Sequence, residues 1–378
     1  MKIIYCIGNI HNSGGIERII STKANYLVNK GYEIHIVVIY PAPKTPFFNF
    51  DSRIKFHYLN LDFEKEKGLK KKFHFRRNKK VFLQTISVLF HKIKPDIAIS
   101  TFCKYSKYIY ELNDGSKKII ERHFAKYKRA QYYSKLDKYY LGRIITYLYR
   151  LNDYNICKHF DRFIVLTHED QKSWGQNLLN IEVIENPITI IPQHYACLEN
   201  KKVISLGRLN QQKQFHHLIK IWKIISQKYP DWKLSIYGNG EQEKKLKKLI
   251  SKLNLNSSIE INSATSDVSS VLLESSIYAM TSKYEGFCLT LTEAMAHGVP
   301  PVSYDCKSSP AEIIKNGVDG LLVPLNNKKI FIQKLSFLIE NEKLRKQMGK
   351  TASLNILRYS LDNIMQKWID LFERLISS

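Results

Sequence analysis

Residues 277–305, IYAMTSKYEGFCLTLTEAMAHGVPPVSYD, contain in order a strand, a turn, a helix and a second strand. The apolar runs at the two ends predict buried parallel strands, and the pattern between them predicts the crossover helix that joins such strands. Glu285 follows the first strand, and the helix that starts near Thr290 contains Glu293. The stretch therefore predicts an α/β unit in which two acidic side chains lie beside one helix N-terminus.

The two glutamates have both an ordinary and a functional interpretation. Taken alone, Glu285 is a solvated turn acid and Glu293 complements the helix dipole. Functionally, both can point into one cleft beside free N–H groups that favour phosphate. Glu293 then suits a ribose, because an ionised carboxylate accepts hydrogen bonds from two neighbouring hydroxyls.

Two cations upstream favour the functional interpretation. Arg208 and Lys213 lie in GRLNQQKQF, at the carboxyl end of the predicted strand KVISLGR. Cations at that edge can neutralise a diphosphate as a bond to it breaks. The chain contains no DxD pair to hold Mg²⁺. We therefore predict a metal-free phosphate site, although each cation taken alone would be an ordinary surface charge.

The alternation of strands and helices extends along the whole chain. It predicts an α/β fold with two doubly wound parallel-sheet domains facing each other across a cleft. Prolines 187 and 192 interrupt the pattern, so we predict domains at 1–190 and 191–355, with a C-terminal helix at 356–378. In the first domain, a helix over residues 14–31 should bury Ile16, Ile19, Ile20 and Leu27 and end at Gly31.

The composition is globular but strongly basic. The 378 residues include 44% hydrophobic and 25% charged residues, six cysteines without a CxxC pair, and a net charge of +25. No apolar run approaches the roughly 18 residues of a membrane helix. Residues 65–80 hold nine Lys or Arg and one acid, and residues 117–143 are basic with interleaved aromatics. Such charge favours an anionic partner: an acidic membrane, a phosphorylated substrate or nucleic acid.

The ordered blocks of the C-terminal half resemble the retaining glycosyltransferases of the GT-B fold, family 4. They are GRLNQQKQF, IYGNGEQEKKL, EGFCLTLTEAMAHGVPPV and SSPAEIIKNGVDGLLVP. Weaker similarity continues in HNSGGIERII and ERHFAKY of the N-terminal half. The resemblance implies that domain 1–190 binds the acceptor, that domain 191–355 binds the nucleotide sugar, and that helix 356–378 packs back on the first domain.

The resemblance also implies individual site residues. The catalytic positions would be Glu285, His123, Arg208 and Lys213. The donor contacts would be Gly14, Gly15, Arg208, Lys213, Gly238, Asn262, Ser263, Glu285, Gly286, Phe287, Cys288, Leu289 and Glu293. Two departures stand out, because Ser309 and Gln214 occupy positions where the family commonly has glycine. No residue is assigned as a nucleophile, since family members are thought to use front-face attack.

The implied activity is transfer of a hexose or N-acetylhexosamine with retention of configuration. The donor would be a UDP-sugar, with no cofactor or metal, and the acceptor a glycan, lipid-linked or anionic polymer of cell-surface polysaccharide synthesis. The basic segments predict a cytoplasmic protein on the inner face of the plasma membrane. A UDP-N-acetylglucosamine 2-epimerase is an alternative that can share the architecture. Nucleic-acid binding is disfavoured because the basic runs lack a known binding motif.

Overall fold

A computed structural model describes residues 1–12, 14–41, 45–62, 71–126 and 140–377. The chain forms two compact units. The first comprises Met1–Pro187 with Asp362–Ser378, and the second comprises Ile188–Leu361. The divisions thus fall after residues 187 and 361, whereas the sequence predicted boundaries at 190 and 355.

The first unit contains a seven-stranded sheet in the order β3-β2-β1-β4-β5-β6-β7. Every neighbouring pair is parallel. Buried isoleucines and valines form near-continuous runs along the central strands, as expected for strands covered on both faces. The strands are β1 Lys2–Ile7, β2 Glu33–Val38, β3 Lys55–Tyr58, β4 Ile97–Ser100, β5 Lys117–Glu121, β6 Arg162–Val165 and β7 Ile181–Val183.

The second unit contains a six-stranded sheet in the order β10-β9-β8-β11-β12-β13, again parallel throughout. Its core includes the buried Trp222, Tyr304 and Phe331. The prediction of two parallel α/β units is confirmed. The strands are β8 Lys202–Leu206, β9 Lys233–Tyr237, β10 Ile259–Asn262, β11 Ile277–Met280, β12 Pro301–Asp305 and β13 Leu321–Pro324.

Helices join and cover these strands. In the described part of the chain they are α1 Gly15–Asn29, α2 Lys71–Ile93, α3 Tyr140–Lys158, α4 His168–Trp174, α5 Phe215–Lys228, α6 Glu243–Lys252, α7 Val268–Leu273, α8 Leu289–Ala296, α9 Pro310–Ile313, α10 Lys328–Glu340, α11 Glu342–Asn355 and α12 Leu361–Ile376. Short 3₁₀ turns cover Ser106–Glu111 and Ile356–Tyr359. The six cysteines are free thiols.

Helix α1 follows its sequence pattern with one difference. Ile19, Ile20 and Leu27 are fully buried, but Ile16 in the first turn is only partly buried. Gly31 adopts φ 86°, and the N–H of Tyr32 donates to the Leu27 carbonyl at 3.0 Å. A left-handed glycine that directs the chain back to the last carbonyls is a common helix end, so the predicted stop is confirmed.

Candidate active site

The predicted site residues of the second unit lie at one edge of its sheet. In a parallel sheet the carboxyl ends of all strands meet at the same edge, which is where ligands of open α/β sheets bind. Arg208 and Lys213 follow β8, Gly238 follows β9, Asn262 ends β10 and Ser263 follows it, and Glu285, Gly286, Phe287, Cys288 and Leu289 follow β11.

The central contact of this edge is an ion pair between Lys213 and Glu285. Lys213 Nζ lies 2.8 Å from Glu285 Oε1, and the two side chains are 14% and 9% exposed. Gln212 Nε2 lies 3.5 Å from the other carboxylate oxygen and donates to the Tyr284 carbonyl at 2.9 Å. Burial by itself lowers the pKa of Lys213, but Glu285 raises it by more, to above its ordinary value. Lys213 is therefore a permanent cation at neutral pH.

Backbone hydrogen bonds hold the loops that present this pair. The N–H of Lys283 donates to the Gln212 carbonyl at 2.8 Å, and the N–H of Glu285 donates to the Lys307 carbonyl at 3.3 Å. The loops after β8, β11 and β12 are thus tied together. The position of Glu285 is thus fixed by hydrogen bonds between loops, which suits a preorganised site.

Arg208 differs from Lys213 in being exposed. Its guanidinium makes no hydrogen bond or ion pair with the residues that the structure describes. The preceding Gly207 has φ 149°, and a Cβ there would lie 2.8 Å from the Lys213 side chain. A Cβ on Gly238 would lie 1.9 Å from the Gly207 carbonyl oxygen. Glycines at these two positions let the loops after β8 and β9 pack closely enough to present both cations.

Glu293 is buried in α8, which begins one residue before the predicted start. The residue is 1% exposed, and Thr189 Oγ1 donates to Glu293 Oε1 at 2.9 Å. His297 Nδ1 lies 2.7 Å from the Glu293 carbonyl oxygen. Thr189 was missed in the sequence, because no periodicity or spacing connects it to a helix more than 100 residues away.

The remaining donor-side positions form the turn into α8 and the end of β10. Gly286 lies in a bend, and Phe287 packs edge-on against Tyr359 with ring centroids 5.3 Å apart. Cys288 directly precedes α8, and burial raises the pKa of its thiol, which therefore stays protonated at neutral pH. The Gly238 N–H donates to the Asn262 carbonyl at 3.0 Å. This N–H is therefore already occupied, while Ser263 is exposed.

The two departures from the family pattern have distinct conformations. Gln214 has φ 47° and ψ 37°, a left-handed conformation that favours glycine. Ser309 has an extended φ of −153°, whereas its neighbour Ser308 has φ 88°. The hydroxyls of Ser309 and Ser282 are buried without a hydrogen-bond partner among the described residues. The Ser309 substitution thus adds a hydroxyl at this edge without straining its own backbone.

Three predicted residues lie in the first unit. Gly14 is extended with φ −84°, and Gly15 begins α1. His123 follows β5, and its side chain is 3% exposed. His123 Nε2 lies 3.4 Å from Glu121 Oε2.

Comparison with known proteins assigns the chain to a family. Residues 189–354 match the family described as Glycosyl transferases group 1. An uncharacterized glycosyltransferase of Haemophilus influenzae is 31% identical over 374 residues, covering 97% of this chain and 98% of the relative. The chain belongs to the group 1 glycosyl transferases. This glycosyltransferase is also 29% identical to the amylovoran biosynthesis glycosyltransferase AmsD of Erwinia amylovora, over 98% of this chain and 99% of the relative.

The fold comparison agrees with this assignment. The glycosyltransferase superposes on a crystal structure of S. aureus TarM with a TM-score of 0.77, at 16% identity, over 98% of this chain and 99% of the other. That crystal structure is of a TarM mutant in complex with Fondaparinux, alpha-GlcNAc-glycerol and UDP. The two parallel-sheet units therefore form a GT-B fold, as predicted.

Proposed function

We propose that this glycosyltransferase moves a hexose or N-acetylhexosamine from a UDP-sugar to an acceptor with retention of configuration. The observation that carries the proposal is that Arg208, Lys213 and Glu285 lie in loops at the carboxyl edge of one sheet, where Lys213 and Glu285 form an ion pair. Arg208 and Lys213 bind the donor diphosphate in this scheme. Glu285 contacts the transferred sugar, and Glu293 holds the ribose hydroxyls.

The contacts of Glu285 support a role in binding rather than as a nucleophile. Lys213 engages one carboxylate oxygen, and Gln212 approaches the other. A carboxylate held in this way is a weak nucleophile and a good acceptor for sugar hydroxyls. In the proposed front-face reaction, the bond between the sugar C1 and the donor phosphate breaks as the acceptor oxygen bonds to C1. The acceptor proton passes to the leaving phosphate.

The charges of the site support a metal-independent reaction. Arg208 and Lys213 supply two positive charges where the diphosphate would bind. Titration of the protein with UDP in the presence of EDTA tests this point. A Kd for UDP that rises more than tenfold with EDTA would contradict it.

A donor panel tests the proposed substrate. UDP-glucose, UDP-N-acetylglucosamine, UDP-galactose and GDP-mannose are compared by thermal stabilisation, since a ligand that binds the native state raises the Tm. We expect stabilisation by a UDP-sugar, and NMR of the product should show the donor's anomeric configuration. A protein stabilised by none of the four would overturn the proposal. Conversion of UDP-N-acetylglucosamine to its 2-epimer without acceptor would favour the epimerase alternative.

The relatives support a role in cell-surface polysaccharide synthesis. AmsD is named for amylovoran biosynthesis, and the TarM structure holds a GlcNAc-glycerol compound. We therefore propose a glycan, lipid-linked or anionic polymer acceptor. The net charge of +25 suits an acceptor that carries phosphate groups.

Two helices of the first unit support binding to the inner face of the plasma membrane. Helix α2 has seven Lys or Arg and no acid, and Arg76, Arg77 and Lys80 are exposed. Helix α3 exposes an apolar stripe at helical spacing that consists of Ile144, Tyr147, Leu148 and Leu151, each between 39% and 61% exposed. Cations attract anionic lipids, while apolar side chains enter the headgroup zone. No helix of the described residues is long and apolar enough to cross a membrane.

Vesicle flotation tests the membrane proposal. Residues 65–70 of the first basic segment and 127–139 of the second lie outside the described residues, so the test uses α2 and α3. We expect binding to vesicles with phosphatidylglycerol at low salt, and none to pure phosphatidylcholine. The variants R76Q/R77Q and Y147S/L148Q should each weaken binding to the phosphatidylglycerol vesicles. K245A on α6 is the control for the loss of a positive charge elsewhere and should bind like the wild type. A wild-type protein that does not float with phosphatidylglycerol vesicles at low salt would contradict the membrane proposal.

A further inference from the structure

A buried ion pair crosses the core of the first unit. Lys23 and Glu121 are each 1% exposed, and Lys23 Nζ lies 2.6 Å from Glu121 Oε2. Lys23 lies on the core face of α1, in the same stripe as Ile19, Ile20 and Leu27. Glu121 is the last residue of β5. A lysine in the middle of an apolar stripe needs a reason, because burying a charge costs several kcal/mol.

Aromatic rings complete the surroundings of this lysine. Lys23 Nζ lies 3.5 Å from the centroid of the Trp368 ring, contributed by α12, and 5.5 Å from that of Tyr5. A cation over a ring face is stabilised by the ring quadrupole, most strongly when it is desolvated. Even so, a well-packed apolar residue often serves stability as well as a buried ion pair does. Stability therefore gives no reason for an ion pair at this position.

The same carboxylate also faces His123. His123 Nε2 lies 3.4 Å from Glu121 Oε2, the oxygen that Lys23 contacts. The imidazole is almost fully buried, and within the described residues neither Nδ1 nor Nε2 makes a hydrogen bond, so Glu121 is the charged group that faces the ring. Burial raises the pKa of Glu121, but Lys23 and His123 lower it by more, to about 2. Glu121 is therefore ionised at neutral pH.

We propose that Glu121, held in place by Lys23, is a positioning residue that orients His123 with Nε2–H toward Glu121 and Nδ1 toward the substrate. The partner of one ring nitrogen decides which nitrogen carries the proton and which remains an acceptor. The distance of 3.4 Å between His123 Nε2 and Glu121 Oε2 is longer than an ordinary hydrogen bond. Catalytic hydrogen bonds are often long in ligand-free enzymes and shorten when substrate binds. The inference rests on the proposed function, with His123 among the catalytic positions that the family resemblance implies.

The first experiment asks which ring nitrogen acts. The amide of asparagine occupies the position of Nδ1, and the amide of glutamine that of Nε2. We expect H123N to retain at least about tenfold more turnover than H123Q or H123A, the effect of leaving one buried hydrogen-bonding group of the substrate without its partner. Turnover is measured as UDP released from the UDP-sugar that stabilises the protein most. H123Q equal to or better than H123N would overturn the assignment of Nδ1.

The second experiment removes the carboxylate without leaving a buried charge. E121Q alone leaves Lys23 unpaired in the core and is expected to unfold easily. The double variant K23M/E121Q removes both charges and should keep the wild-type Tm within a few degrees. We expect its kcat to fall about 10–100-fold with the donor KM unchanged. In an H123A background the same pair of substitutions should cause no further loss, because Glu121 then has nothing to orient.

Other outcomes separate this inference from the proposed function. Equal losses with and without His123 would show a structural role for the pair and overturn the inference. H123A with wild-type turnover would also overturn it, while leaving glycosyl transfer intact. Nitrogen-15 NMR of histidine-labelled protein gives a readout independent of activity. The signal of His123 is identified as the one that is lost in H123N. In the wild type His123 should carry its proton on Nε2, and in K23M/E121Q it should lose that preference. An Nδ1–H tautomer in the wild type would refute the inference.

Discussion

Replacing Arg208 with alanine should weaken donor binding without weakening the fold. The guanidinium is exposed and makes no hydrogen bond or ion pair with the described residues, so the free energy of unfolding should change by no more than about 0.5 kcal/mol. In the complex, the side chain would make a charge-assisted hydrogen bond to the diphosphate worth roughly 1.5–3 kcal/mol. At 1.36 kcal/mol for each factor of ten, the Kd for UDP should rise about 10–150-fold.

Isothermal titration with UDP measures this change directly, and it requires no acceptor. The matched control is K245A, which removes an exposed positive charge from α6 of the same unit. If Arg208 acts through contact, K245A should bind UDP with a Kd within about twofold of wild type. R208K should fall between wild type and R208A, since lysine keeps the charge but loses the planar fork.

Two results would refute the reasoning for Arg208. A Kd for UDP in R208A within twofold of wild type would mean that the side chain does not touch the diphosphate. A Tm lowered by several degrees would mean that Arg208 has a structural partner, so that a weaker Kd could not be assigned to a lost contact.

Three further predictions concern stability. Q214G should raise the free energy of unfolding by about 0.5–1 kcal/mol in urea titrations, because a backbone φ of 47° strains residues other than glycine. A similar gain in Q214A would contradict this explanation, since alanine is strained at that φ as well. K213M should lower the free energy of unfolding by about 3–5 kcal/mol because the buried Glu285 carboxylate is left unpaired, and K213M/E285Q should recover most of that loss. A double variant as unstable as K213M would contradict a stabilising role of the ion pair. His35 and His57 are stacked, and burial lowers the pKa of both. The unfolded chain therefore binds protons before the folded chain does as the pH falls below about 6.5, so the free energy of unfolding should decrease there. The decrease should be smaller in H57N, which lacks one of the two imidazoles. An equal free energy of unfolding at pH 8 and pH 5.5 would contradict this prediction.

Much of the fold could be predicted because the signals are local. Apolar runs of strand length alternate with helical periodicity, and this pattern alone predicts parallel sheets with crossover helices. The positions of Arg208, Lys213 and Glu285 followed in the same way, since each lies in a loop after a strand whose carboxyl end faces the ligand edge. Lys23 offered a local signal too, because it interrupts the apolar stripe of α1 at a core position.

The pairings within the site could not be predicted, because each joins residues far apart in the chain. Thr189 contacts Glu293 across 104 positions, and Lys23 contacts Glu121 across 98. Such contacts depend on loop conformation and helix packing, which local periodicity does not describe. The left-handed conformation of Gln214 was hidden as well, because only the path of the loop into α5 imposes it.

The sequence by itself determined the α/β class, the two sheets and the order of the charged residues along the ligand edge. Local propensity and strand polarity are sufficient for those features. Only the tertiary structure decided that Lys213 neutralises Glu285, that Arg208 remains exposed, and that Glu121 lies between Lys23 and His123. The physical reason is that the effect of a charge depends on its distance from other charges and on its burial, and packing alone determines both.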